Sequence, residues 1–408
     1  MPVSKTAILS DGIAEVSFSL DDGLNFQGRL RPHTNIQFYG PLRHFVSMAN
    51  VSVQFCNLLI QKFGDIAIQN YTLAAAELQE SPQSEWTASE LEPYSGLNRG
   101  AKLGIFYGVP IDVPEKFYQH PIRIGCFVCE TDLIEQSWVD ICNRFDLIVV
   151  PSQWCKSAFN RSGVKPPILV VAHGLEPEYR PYKNKSTRHH QPFVFYSTFY
   201  ANAYCSRKSL EELVRTFLRT FKGRDDVILR IRTDSKAKLR ELQKKYNFGE
   251  LIHIDSSMGH DTESFARIYS EVHCTVHPAK GEGFGFVPFQ SIACETPVIA
   301  MHETGMADYL SPDNSISLKT SGRVKGEGAG NAVGTYFAVD ESHLERCLLH
   351  AFHNWQEEYQ KVHALGANFR QQYQWSEVLA ELMEVTQLLL ESNSALEKQN
   401  VLELKIAK

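Results

Sequence analysis

Residues 277–299 read HPAKGEGFGFVPFQSIACETPVI, and this stretch restricts the fold more than any other. Before it, Val272 to Val276 has the apolar density of a short buried strand, and after it Val287 to Cys294 carries the spacing of a helix. The glycines therefore sit at a strand-to-helix turn, which is where open α/β sheets place their ligands. Gly281, Gly283 and Gly285 remove side chains where backbone must approach something closely, and the following helix turns its free N–H groups back on the same spot. An anionic or hydroxyl-rich ligand suits such a turn. Glu282, between two glycines, is a carboxylate well suited to accept hydrogen bonds from sugar hydroxyls. The plainer alternative is a glycine-rich turn with a solvated glutamate.

A chain of 408 residues has room for two or three domains. Its hydrophobic content of 43% and charged content of 22% are those of an ordinary globular protein. No run of about 18 apolar residues suggests a membrane span, and Met1 to Asp22 lacks the basic and apolar regions of a secretion signal, so a cytoplasmic location is expected. Net charge is −6, without the basic excess of a chain that tracks nucleic acid. Nine cysteines are scattered singly in apolar surroundings, the pattern of reduced structural thiols. Cys126 and Cys129 form a lone CxxC inside an apparent strand, with no second pair to complete a zinc site, so no metal is expected.

Taken in order, residues 1–34 suggest a small β-hairpin appendage, with alternation at Val16 to Leu20 and a turn at Asp21-Asp22-Gly23. Asn35 to Gly40 reads as the first strand of a sheet and Met48 to Phe63 as its helix, Gly40 opening the loop between them. Strands at Leu103–Tyr107, Ile122–Val128, Leu147–Val150 and Ile168–Val171 alternate with helical patterns, which predicts a parallel sheet covered on both faces. The polar, basic stretch Tyr182 to Gln191 is the expected interdomain linker. A second α/β unit begins at Phe193–Ser197 and continues with a helix at Leu210–Phe221 and a strand at Val227–Ile231. Ser321 to Gly334 holds five glycines and reads as a mobile insertion loop with no shared role. Helices follow at Leu344–Phe352, Ala364–Tyr373 and Val378–Leu390.

Several of these pieces resemble the retaining glycosyltransferases of family 4. The donor-binding signature of that family is similar to His277-Pro278, Glu282-Gly283-Phe284-Gly285 and Cys294-Glu295-Thr296-Pro297-Val298 here. Val150-Pro151-Ser152, Ser162-Gly163-Val164, Val171-Ala172-His173-Gly174-Leu175 and Arg180-Pro181 resemble, in order, the pieces that close its first domain. The family's Arg-Lys-Gly segment is matched by Arg207-Lys208-Ser209, and Trp375 with its helix looks like the element that crosses back to the first domain. Three departures stand out. The second glutamate of the signature is replaced by Gln290, and the family's later Gly pair and Glu are reduced to Gly305 and Asp308. The earlier phosphate-binding arginine has no counterpart, with Asn202 near its place.

The resemblance implies a GT-B fold: two Rossmann-like, doubly wound domains facing each other across a cleft. Residues 35–185 would form the acceptor domain, 186–374 the nucleotide-sugar donor domain, and 375–408 the returning helix and tail. It implies transfer of a sugar from a nucleotide-diphosphate donor to an acceptor hydroxyl with retention at the anomeric carbon. Glu282, Lys208 and Glu130 are the implied catalytic residues. Arg207, Lys208, Glu282, Gly283, Phe284, Gly285, Phe286, Gln290 and Gly40 are the implied donor contacts. A compact ammonium at a helix start suits a diphosphate, although a solvated Arg-Lys pair has the same sequence. Neither metal nor cofactor is implied, since Lys208 and helix N-termini can stabilise the departing diphosphate. His44 and His173 are weaker candidates, and structure is the better reading of His173. A glycan, lipid, protein or modified nucleobase all remain open as acceptor, and the sequence is silent on oligomeric state. Competing readings are a glycosyltransferase-like binding or scaffold protein, and another GT-B enzyme such as a nucleotide-sugar epimerase or phosphorylase.

Overall fold

The computed structural model describes residues 5–8, 14–19, 25–30, 34–42, 47–70, 91–98, 100–182, 192–199, 205–233, 236–255, 262–327 and 333–406. The chain opens with β1 (Lys5–Ile8), β2 (Ala14–Ser19) and β3 (Asn25–Leu30), an antiparallel run. Next come β4 (Ile36–Gly40), α1 (Ser47–Phe63), β5 (Ala67–Asn70) and β6 (Gly96–Leu97), the last of which pairs parallel with β3. Then follow β7 (Leu103–Gly108), β8 (Ile122–Phe127), α2 (Gln136–Cys142), β9 (Leu147–Val150), α3 (Gln153–Ser162) and β10 (Ile168–Val170). The first large sheet has the order β10-β9-β8-β7-β4-β5 and is parallel throughout. Every residue of β4, β7 and β9 is buried, as expected for strands covered on both faces.

The second unit contains β11 (Phe193–Phe199), α4 (Leu210–Thr220), β12 (Val227–Thr233), α5 (Lys236–Lys245), β13 (Ile252–Asp255) and α6 (Thr262–Glu271). It continues with β14 (Cys274–His277), α7 (Phe286–Ala293), β15 (Val298–Ala300) and β16 (Ile316–Ser317). Its sheet order is β13-β12-β11-β14-β15-β16, again all parallel. The chain leaves β11 for one side of this sheet and returns through β14 on the other. The crevice at their carboxyl ends is therefore the switch point where doubly wound sheets bind ligands. Two parallel six-stranded sheets flanked by helices make the two-domain α/β GT-B architecture expected from the sequence.

Between Ser321 and Gly334 the structure departs from the expected loop. Thr320–Lys325 is a strand, β17, paired antiparallel with β18 (Thr335–Val339). It was missed because its alternate residues Ser321, Arg323 and Lys325 are polar and all six positions lack burial, so it has no apolar face to read. Beyond it lie α8 (Glu341–His353), α9 (Trp355–Gln372), α10 (Trp375–Val378), α11 (Ala380–Glu391) and α12 (Ala395–Ile406). Trp375, Leu379, Leu382, Val385, Leu389 and Leu402 are buried in the core of the first domain, so this C-terminal segment crosses back. Each fully buried leucine there contributes roughly 2 kcal/mol. Lys102 and Lys398 fasten it further, on the carbonyls of Leu390 and Ser392 and on Asp146 respectively.

The two passages of chain between domains run side by side. The Leu175 amide donates to the Tyr373 carbonyl at 2.7 Å, and Gly174 lies so close to Trp375 that a Cβ would meet its ring at 2.5 Å. The polar linker expected at Tyr182–Gln191 falls, from residue 183 onward, outside the described residues. No helix among the described residues is long and apolar enough to cross a membrane.

Candidate functional site

Both loops at the switch point of the second sheet carry charge. From β14 the chain runs through Pro278 to Gly285, and Gly285 caps α7 in the left-handed region at φ 91°. From β11 it returns as a short turn, Cys205–Lys208, before Ser209 starts α4. Ser209 also takes a positive φ, 55°, a strained choice for a residue with a Cβ and one that matches the family's glycine. These loops bring Arg207, Lys208 and Glu282 together.

Glu282 is only 7% exposed, which rules out the solvated glutamate that a glycine-rich turn could have carried. One oxygen of its carboxylate accepts from Lys208 Nζ and, at 3.0 Å, from His277 Nε2. The other accepts from an Arg207 nitrogen at 3.2 Å. That arginine also donates to the Gly281 carbonyl at 2.6 Å and reaches Glu130 of the first domain at 3.5 Å. Burial alone would raise the pKa of Glu282, but Lys208 and Arg207 outweigh it and hold the carboxyl well below its usual range. Burial lowers His277, which stays a neutral ring donating through Nε2 to an oxygen that can only accept. On Lys208, burial lowers the pKa more than the Glu282 charge raises it. Arg207 and Lys208 are thus gathered with Glu282 and Glu130 in a partly buried site in which Glu282 is the most enclosed.

The close approach that the glycines permit is made to protein. A Cβ on Gly281 would meet the Glu130 carbonyl at 2.6 Å and the Tyr336 ring at 2.7 Å, and one on Gly283 would meet Val128 at 2.1 Å. The loop after β8 is therefore pressed directly on the glycine-rich turn, and the domains touch here. Ser152 Oγ of the first domain donates to the Gly283 carbonyl at 2.6 Å. The Gln153 amide, at the start of α3, donates to Asp308 at 2.8 Å. Asp308, set by the sequence opposite the family's later glutamate, caps a first-domain helix instead.

Other candidates lie apart from this cluster. Phe284 is buried among Phe289, Tyr309 and His173, so its side chain belongs to the core. Phe286 stacks on His173 at 5.1 Å with the rings nearly parallel. His173 is fully enclosed, and burial drives its pKa down to about 3, as fits a structural ring. Gln290 sits half-buried on α7, one turn beyond the glycines, and accepts from the Tyr269 hydroxyl at 3.2 Å. Gly40 ends β4 in the other domain, against Phe38 and Ser52. Glu295 takes the left-handed turn position (φ 55°) where the family has glycine, and Arg370 and His363 of α9 hold its carboxylate. Cys129 lies beyond the end of β8 and, like Cys126, is a buried free thiol. His44 and Asn202 fall outside the described residues. Among the described residues no group of three or more His, Cys, Asp or Glu is placed to hold a metal ion.

Sequence reasoning placed His277 in the signature without giving it a role, and it overlooked Thr304. The first orients Glu282, and the second accepts the Glu282 amide at 3.3 Å. A histidine at the carboxyl end of a buried strand was the available signal for His277.

Comparison with solved structures agrees with this fold. HepE of Anabaena, in complex with UDP and glucose, superposes with a TM-score of 0.60 at 11% identity, over 87% of this chain and 100% of that one. Sucrose-phosphate synthase of Thermosynechococcus elongatus gives 0.60 at 14% identity, over 88% and 99%. WaaG, a glycosyltransferase involved in lipopolysaccharide biosynthesis, gives 0.56 at 11% identity, over 86% and 99%. Such identities speak for the fold alone. No curated protein matches in sequence. Residues 152–382, more than half of the chain and including every residue of the Arg207–Lys208–Glu282 cluster, match the family described as family 4 glycosyltransferases in conflict systems, and the chain belongs to that family.

Proposed function

We propose that the chain transfers a sugar from a nucleotide-diphosphate sugar to an acceptor hydroxyl with retention of anomeric configuration. The observation that carries this reading is the convergence of Arg207 and Lys208 with Glu282 at the switch point of the second sheet, faced by Glu130 from the first domain. With donor present, Lys208 and Arg207 turn from Glu282 to the diphosphate and stabilise the charge that develops as it departs. The released Glu282 carboxylate then accepts hydrogen bonds from sugar hydroxyls, held in place by His277. Glu130 reaches the donor sugar or the acceptor from the opposite wall. Gln290 faces the nucleotide ribose, and the backbones of Gly283 to Phe286 line the donor at the start of α7. Gly40 belongs to the first-domain wall. Stabilisation of the leaving group by Arg207, Lys208 and the N-terminus of α7 makes a bound metal unnecessary.

HepE has been crystallised with UDP and with UDP-glucose, which makes uridine donors the first to try. Mass spectrometry of donor hydrolysis over a panel of UDP-, GDP- and ADP-sugars tests the reading. Release of free sugar and nucleoside diphosphate from at least one donor is expected, with the anomeric configuration of the product read by NMR. An inert panel would favour a binding protein on this fold.

A further inference from the structure

The β17–β18 hairpin belongs to the second domain by sequence, yet its outer end rests on the first. Asp132 receives it: one carboxylate oxygen accepts the Thr335 amide at 2.7 Å and the other accepts from Arg323 at 2.8 Å. Gly334 lies on the same loop, where a Cβ would meet Thr131 at 2.6 Å and the Leu133 carbonyl at 2.7 Å. Phe337 faces Trp154 at 5.8 Å, with the Arg323 guanidinium 4.4 Å over its ring. On its inner side the hairpin is tied to the candidate site. The Phe337 amide donates to the Lys280 carbonyl at 2.9 Å, Tyr336 covers Gly281, and Glu327 accepts from Ser206, the neighbour of Arg207. The hairpin therefore joins the two switch-point loops to the first-domain segment that carries Glu130.

We propose that Asp132 is a positioning residue, clasping this hairpin so that the 128–133 loop, and with it Glu130, is held over the Arg207–Lys208–Glu282 cluster, and that nucleotide enters when the clasp releases. The proposal rests on the donor reading given above. The closed arrangement needs a gate, because Glu282 is almost without solvent contact and the glycine-rich turn is covered by Glu130 and Tyr336. The fastening is also weak enough to open. The Arg323–Asp132 pair is exposed on its arginine side, where solvent screens it. Release also gives up the single charge-assisted bond from the Thr335 amide. Lids of this kind open in microseconds to milliseconds.

Hydrogen exchange in the full chain reads the clasp without any ligand. Asp132→Ala is expected to speed exchange in the 333–339 and 128–134 segments about tenfold, with β12 unchanged. Asp132→Asn keeps an oxygen for the Thr335 amide and loses the charge, so a smaller rise of about threefold is expected. Stopped-flow binding of UDP, or of GDP or ADP should UDP not bind, reads the gate. Association is expected to be about tenfold faster in Asp132→Ala than in the wild type. Unchanged exchange at 333–339 would overturn the clasp, as would an equal loss of protection throughout the chain. Raised exchange with unchanged association would overturn the gate. A wild type that binds none of the three nucleotides would overturn the donor reading, while the exchange result would still decide whether Asp132 holds the hairpin.

Discussion

Lys208 and Glu282 come from the two loops flanking one crevice, 74 residues apart in sequence, and meet in a buried ion pair shared with Arg207 and His277. Glu282 is buried and Lys208 mostly so, which leaves each charge largely dependent on the other. Removing one partner of a buried pair costs about 3–5 kcal/mol, because the remaining charge is stranded.

Glu282→Ala should therefore affect both stability and activity. The stranded Arg207 and Lys208 should lower Tm by roughly 5 °C in a chain of this size. Loss of a charged hydrogen bond to the sugar should lower kcat/KM by roughly ten- to a hundredfold. Added pyrophosphate should restore part of the lost Tm by neutralising the two cations, an effect smaller in the wild type where Glu282 competes. Differential scanning fluorimetry with and without pyrophosphate checks this; an unaltered Tm and wild-type kinetics would remove Glu282 from both roles.

Gln290 stands where the family's signature has a second acid. An amide offers a ribose hydroxyl a neutral bond of about 1 kcal/mol in place of a charged one of about 2–3. Gln290→Glu should leave donor KM unchanged or lower it by up to roughly tenfold, while Gln290→Ala should raise KM more than it lowers kcat, as expected for a contact made equally in ground and transition states. Steady-state kinetics of both variants decide it. If neither changes any parameter, Gln290 serves only to accept from Tyr269.

Glu176 lies where the two interdomain passages meet, accepting from Trp375 Nε1 at 3.2 Å and from Asn50. Burial, only partly offset by these donors, pushes its carboxyl from 4.5 to about 7. The folded state thus binds the proton more tightly than the unfolded chain. Its contribution is fully present below about pH 4.5 and is lost as pH rises through about 7, a change of about 3 kcal/mol. Glu176→Gln keeps an oxygen for both donors and removes the titration. It should be more stable than wild type at pH 8 by about that amount and little different at pH 4.5. Urea unfolding at the two pH values measures it, and equal differences at both would show that Glu176 does not titrate in this range.

The sheets were legible in the sequence because parallel strands covered on both faces become apolar runs, as in Leu147–Val150 and Leu103–Tyr107. Glu282 and Lys208 could be singled out in the sequence because each stands at a strand-to-helix turn. Their mutual pairing was not, since local pattern says nothing about loops brought together by a crossover. Asp132 was invisible for the same reason: its partner Arg323 is 191 residues away, and in sequence it is one more surface acid after Glu130-Thr131. The glycines were read correctly as points of close approach, but only the fold shows that Val128 and Glu130 are what approaches.

Calorimetric titration of wild type and Lys208→Ala with UDP, GDP and ADP tests the central claim most directly. At least one nucleoside diphosphate should bind the wild type, and its affinity should fall by about ten- to a hundredfold in Lys208→Ala that remains folded by circular dichroism. An affinity that is the same in both proteins for every nucleotide that binds would contradict the account, leaving Lys208 as nothing more than the structural counter-ion of Glu282.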